Sequence, residues 1–136
     1  MKDFVVTKVR RVWDKENHIA EYKCNTSIEC KRNIHEVFLD ALYSSTDEDM
    51  MRVVYARTTD EHLTTCFIVT MMYYREDVSH YFVESAGIRY ARGIDEVMRE
   101  CEDEVKRASV VKCAFIRPAT QEECEYYEDT FCDQYV

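Results

Sequence analysis

The residues of this 136-residue chain best suited to chemistry are its seven cysteines and four histidines. A structural zinc site wants two close ligand pairs, such as CxxC with a second CxxC or HxxxH, because each pair chelates from one turn. The nearest approaches here are Cys24/Cys30, Cys30/His35 and Cys124/Cys132, and there is no CxxC. A spacing of five puts Cys30 and His35 on different sides of a helix, and a spacing of eight puts Cys124 two turns from Cys132. No metal is expected, and the thiols read as buried small hydrophobes. Nucleophilic catalysis fares little better. Cys66 and Cys113 are the candidates, with His62 or His80 as base, yet Cys66 sits between Thr65 and Phe67 in an apolar run. A reactive thiol needs the opposite, an electropositive and partly open setting. With two Gly and one Pro in the chain, phosphate-cradling loops and nucleophile elbows are disfavoured, and no cofactor is expected. The chemistry that is left is binding, with a small enzyme as the third reading.

Two stretches are suited to binding. The segment 121–136 has six acids, no bases and four aromatics, with Cys124, Tyr127 and Phe131 at helical spacing. Rings can anchor such a segment while carboxylates steer it toward a basic groove. Together with the acidic helix before it, this gives a partner-binding set of Asp95, Glu96, Glu100, Asp103, Glu122, Glu123, Tyr127, Glu128, Asp129 and Phe131. Carboxylates spaced like phosphates also raise the prospect of DNA mimicry toward a nucleic-acid-handling protein. The alternative surface is basic and aromatic: Lys8, Arg10, Arg11, Trp13, Tyr22 and Arg32, suited to a phosphate-bearing small molecule by charge and stacking. Asp14, Glu16, Glu21 and Glu29 interleave with it, as on an ordinary mixed-charge surface.

Charge separates these readings. The net charge is −9, and it is lopsided: residues 1–60 carry 10 basic and 11 acidic side chains, residues 61–136 carry 8 and 16. Such a surface repels phosphate backbones, so general nucleic-acid binding is not expected, whereas a protein partner with a basic surface is. The leading expectation is a small acidic regulator or inhibitor, in the style of a viral or mobile-element accessory protein. The N-terminal residues lack the apolar core of a signal peptide, and no run is long enough for a membrane helix. An odd cysteine count without an export signal then points to a reducing, cytoplasmic setting.

Local patterns predict the elements that hold these residues. Residues 4–13 and 18–24 read as a hairpin with a turn at Asp14–Asn17. Thr26-Ser27-Ile28-Glu29 fits a capping box, and Ile34, Val37, Phe38, Ala41 and Leu42 give a helix over about 27–44. Strands follow at 50–57, 63–74 and 80–90 as a meander, with 63–74 as the central strand and Gly87 marking a bulge or bend. Ile94, Val97, Met98, Cys101 and Val105 predict a helix over 94–108. A strand at 109–116 ends at Pro118, and a capping box at Thr120-Gln-Glu-Glu123 opens the last helix. The order β-β-α-β-β-β-α-β-α in one domain implies an α+β fold with a mostly antiparallel sheet and two to three covering helices. No internal repeat is read. Exposed sheet edges favour a two-fold homodimer.

Overall fold

The structure, a computed structural model, describes residues 1–46, 48–60 and 65–126. It is α+β: one six-stranded sheet with helices, in the predicted element order. Strand β1 (Lys2–Asp14) turns into β2 (Ile19–Lys31), followed by helix α1 (Ile34–Tyr43) and β3 (Asp49–Thr58). Then come β4 (Cys66–Arg75), β5 (His80–Tyr90), α2 (Ile94–Arg107) and β6 (Lys112–Pro118). A third helical stretch covers residues 121–126, where the described residues end.

The sheet order is β2-β1-β3-β6-β4-β5, antiparallel except for the central pair β3–β6. Two expectations are thereby corrected. β3, β4 and β5 are not a meander, because β6 inserts between β3 and β4. The central strands are β3 and β6, while β4 lies one place from the edge. Its long apolar run reflects cover on both sides rather than centrality: Phe67, Val69 and Met71 face one core, and Met72 packs against the other.

The two cores lie on opposite faces. Val37, Phe38, Ala41 and Leu42 of α1 cover Phe4, Val6, Val54, Ala56 and Phe115. Val97, Cys101 and Val105 of α2 cover Val53, Tyr55, Phe67, Val69, Ala114 and Ile116. Neighbouring residues Val53 and Val54, or Ala114 and Phe115, thus point to different helices, as the two-residue period of a strand requires.

This arrangement exposes a duplication. β1-β2-α1-β3 and β4-β5-α2-β6 are the same unit, a hairpin, a helix, and a strand returning beside the hairpin's first strand. A two-fold axis in the sheet between β3 and β6 relates them, which makes the central pair parallel and sends the helices to opposite faces. Pairing fixes the correspondence. Phe4 is opposite Thr58 and Phe67 opposite Pro118, so Phe4-Val5-Val6-Thr7 matches Phe67-Ile68-Val69-Thr70. Around the helix starts, residues 26–38 match 86–98 with five identities in thirteen: Ile28/Ile88, Arg32/Arg92, Ile34/Ile94, Glu36/Glu96 and Val37/Val97. The expectation of no repeat is corrected.

The matched residues do matched work. Glu36 accepts the Arg32 backbone N–H at 3.2 Å, and Glu96 accepts that of Arg92 at 3.0 Å, each satisfying a donor ahead of its helix. Arg57 donates to the Thr58 carbonyl at 3.2 Å and Arg117 to that of Pro118 at 3.3 Å. This pattern also corrects the start of α1. Thr26–Lys31 continues β2, where every residue pairs with β1, and the helix is capped instead by Asn33, whose side chain accepts the Glu36 N–H at 3.0 Å. The bulge expected at Gly87 lies elsewhere: Gly87 pairs with Val69, and the register breaks where Met71 meets Ser85 and Met72 meets Val83, leaving Glu84 extra.

Candidate functional site

A second bulge builds the most distinctive polar site. Val9 pairs with Val53 and Arg10 with Met51, so Arg52 is an extra residue in β3. Its side chain is 7% exposed. One Nη donates to the Val105 carbonyl at 2.8 Å, in the last turn of α2, while its Nε is buried with no hydrogen-bond partner. A buried guanidinium is costly unless anionic or dipolar groups surround it. The carbonyl end of α2 supplies part of that compensation, and the bare Nε marks what it leaves unmet.

Two more cations come to the same place. Arg11 of β1 stands between Tyr22 of β2 and Met50 of β3, and Lys106 of α2 lies over the Tyr22 ring at 4.2 Å. With the loop residues Ala108–Val111 they line a cleft of about 240 Å³. No carboxylate is among the described residues that line it. Trp13, two residues from Arg11 and so on the same face, is 36% exposed beside it. The cleft is smaller than the about 300–1,000 Å³ typical of drug-sized ligands. That suits a phosphate-like head group rather than a whole nucleotide.

The six basic and aromatic residues read from sequence therefore do not make one patch. Arg11, Tyr22 and Trp13 share the cleft face. Lys8 and Arg10 point to the opposite face and pair with Glu29 and Asp49, both at 2.9 Å. Arg32 lies apart, in a cleft at the start of α1 with Lys2 and His35. Sequence reading named neither Arg52 nor Lys106 as a site residue. The available signal was a lone cation within the apolar run Met50–Ala56.

The acidic set divides too. Glu96 caps its helix, and Glu100 and Glu104 pair with Arg89 at 3.7 and 3.0 Å. Glu123 accepts from Arg117 at 2.7 and 2.6 Å and from the Thr120 N–H at 3.0 Å, while Thr120 Oγ1 accepts the Glu123 N–H at 3.1 Å. The second capping box is thus formed as expected. The Arg117 hydrogen bonds hold the Glu123 carboxyl down to about 2. Asp95, Asp103 and Glu122 have no ion pair among the described residues. Tyr127, Glu128, Asp129 and Phe131 lie outside the described residues.

The thiols Cys101 and Cys113 are core residues, and burial pushes them up to about 11 and about 12, so both are protonated at neutral pH. Cys24 and Cys30 are exposed on β2, while Cys66, Cys101 and Cys113 are buried, against an expectation of mostly buried thiols. Among the described residues no three His, Cys, Asp or Glu side chains are grouped to hold a metal ion, and no helix is long and apolar enough to cross a membrane. Comparison of the chain with family models, curated proteins and solved structures finds no match.

Proposed function

We propose that the protein binds a small anionic ligand, of the phosphate-monoester class, in the cleft formed by Arg11, Arg52, Lys106 and Tyr22. One observation carries this reading: in a chain of net charge −9, three cations converge with no carboxylate among them, one of them buried with a free donor. An anion there would meet hydrogen bonds to charged donors, the stronger class of such bonds. Binding or sequestration, rather than turnover, is the reading the residue types favour, since the cleft offers cationic donors and sets no His, Asp or Glu beside its one serine, Ser109. The free thiols on β2 support a reducing, intracellular setting.

Calorimetry with inorganic phosphate, ribose 5-phosphate and a nucleoside monophosphate tests the proposal. Saturable binding that weakens with salt, and that falls at least ~10-fold in Arg11→Ala and Lys106→Ala, is the expected result. A folded protein that binds none of the three overturns it. A second reading keeps a protein partner with a basic surface, supported by the carboxylates Asp95, Asp103 and Glu122, which have no ion pair among the described residues. Reversing Glu122, Glu128 and Asp129 while sparing Glu123, which is structural, should then abolish capture of that partner without loss of fold.

A further inference from the structure

The two sheet edges differ in how they are closed to a further strand. β5 carries the Glu84 bulge, and the Glu84 carboxylate is drawn to Lys112 at 2.7 Å; a bulge is one of the devices that protects an edge. β2 has no bulge; its edge charges are Glu21, Lys23, Glu29 and Lys31, of which Glu29 also meets Lys8 at 2.9 Å and Lys31 meets Asp40 at 2.5 Å. It pairs with β1 over thirteen residues in unbroken register, and all of it is exposed except the partly covered Ala20, Glu29 and Lys31. A regular, exposed edge of this length is a template for another strand.

The sequence of β2 specifies which strand. Laid antiparallel against a second copy of itself with Thr26 opposite Thr26, the strand sets Glu21 against Lys31 and Lys23 against Glu29. Two-fold symmetry makes four unlike-charge pairs of these two. On the other face Tyr22 meets Cys30 and Cys24 meets Ile28, so an apolar stripe forms where Ile28 is otherwise 68% exposed. Sliding by one pleat in either direction destroys the match. Centring on Asn25 puts Glu21 against Glu29, and centring on Ser27 puts Lys23 against Lys31. Directly opposed unlike charges stabilise a strand pair and like charges destabilise it, so one register stands out. We infer that two copies of this chain pair through β2 in the Thr26-centred antiparallel register, giving a two-fold dimer with a continuous twelve-stranded sheet.

The charge variants of the test leave the anion cleft untouched, because Glu21, Lys23, Glu29 and Lys31 lie on the face of β2 opposite to Tyr22. The test uses the full chain in sedimentation equilibrium and native mass spectrometry. The wild type should be a dimer. An all-acidic edge (Lys23→Glu with Lys31→Glu) and an all-basic edge (Glu21→Lys with Glu29→Lys) should each weaken self-association ~100-fold or more. Mixed one to one, the two variants should form a heterodimer, which also shows that both are folded. Thr26→Lys, a single exposed substitution that sets like charges at the two-fold axis, should give a monomer as well. A monomeric wild type overturns the inference, even one that captures a strand from another protein. So do variants that still self-associate, which would put the interface elsewhere, and variants that fail to pair when mixed.

Discussion

The two halves of the molecule, residues 2–58 and 66–118, share one plan and use it differently. The second hairpin is closed by rings: Tyr74 and Tyr81 at 5.0 Å, Tyr73 and Phe82 at 5.9 Å, with His80 edge-on to Phe82 and Arg75 above it. The first hairpin carries Arg10, Arg11 and Lys23 in corresponding places and, between the matched base and the turn, is two residues longer on its first strand and one on its second, where the Glu84 bulge makes up the difference. Both turns have four residues and end on a residue with positive φ, His18 at 53° and Ser79 at 50°. The frame was kept while the surface diverged. In the second copy the hairpin is closed by aromatic packing and a bulge. In the first it exposes cations, an aromatic pair and an open edge, which is where binding is proposed.

The comparison makes quantitative claims. If the halves are equivalent in the core, Phe4→Ala and Phe67→Ala should cost the same, about 3–5 kcal/mol each, in denaturant unfolding. Both side chains are essentially buried, at 3% and 1% exposure. A large inequality would mean the cores are not matched. Arg57 and Arg117 should separate, because among the described residues Arg117 holds a carboxylate, Glu123, and Arg57 does not. Glu123→Gln should cost about 1 kcal/mol, allowing for solvent screening at this partly exposed pair. The sign follows from a folded pKa below the ordinary one. The contribution is complete above about 4.5 and fades as pH falls toward about 2, so wild type and Glu123→Gln should converge in stability over that window.

The helix starts give the finest comparison. Asn33→Ala should cost about 1 kcal/mol by removing the α1 cap. Gly93, its counterpart, has extended φ of −173°, provides no side-chain cap, and has nothing within 4 Å of where a Cβ would sit. Gly93→Asn should therefore stabilise by about 0.3 kcal/mol, making α2 resemble α1. Thermal unfolding resolves both. Thiol labelling of the native protein should modify Cys24 and Cys30 and spare Cys66, Cys101 and Cys113, whose side chains are buried.

Much of this was legible in the sequence. The stripes Val37/Phe38/Ala41/Leu42 and Val97/Cys101/Val105 announced both helices, because amphipathic spacing survives any tertiary context. The pairing order was not legible. The apolar runs at 50–57, 66–75 and 112–118 are alike, and nothing local tells β3 to choose β6 over β4. The false start of α1 at Thr26 arose because a capping box is a four-residue pattern, whereas β2 is held over thirteen residues by β1. The duplication escaped notice because its identities are sparse and the hairpins differ in length; strand register brings Phe4 onto Phe67. The site was half legible. Arg11 and Tyr22 were named, but their partners Arg52 and Lys106 come from a bulge and a distant helix, and only the folded sheet brings them together.

The interleaving of the halves has a consequence for synthesis. Phe38 of α1 stacks on Phe115 of β6 at 4.7 Å, and α2 covers Val53 and Tyr55 of β3. The first half alone thus lacks both a strand and a helix that its apolar faces need. On a ribosome adding about 5–20 residues per second, that half waits roughly 3–12 seconds for the second to appear. During the wait its unfinished strands are exposed to neighbouring nascent chains, including copies of the same chain on the same message. Contacts that join positions some sixty residues apart also make for slow folding. Newly made protein should therefore depend on chaperones more than the native fold's small size suggests, and the dependence should end once residue 118 has cleared the exit tunnel.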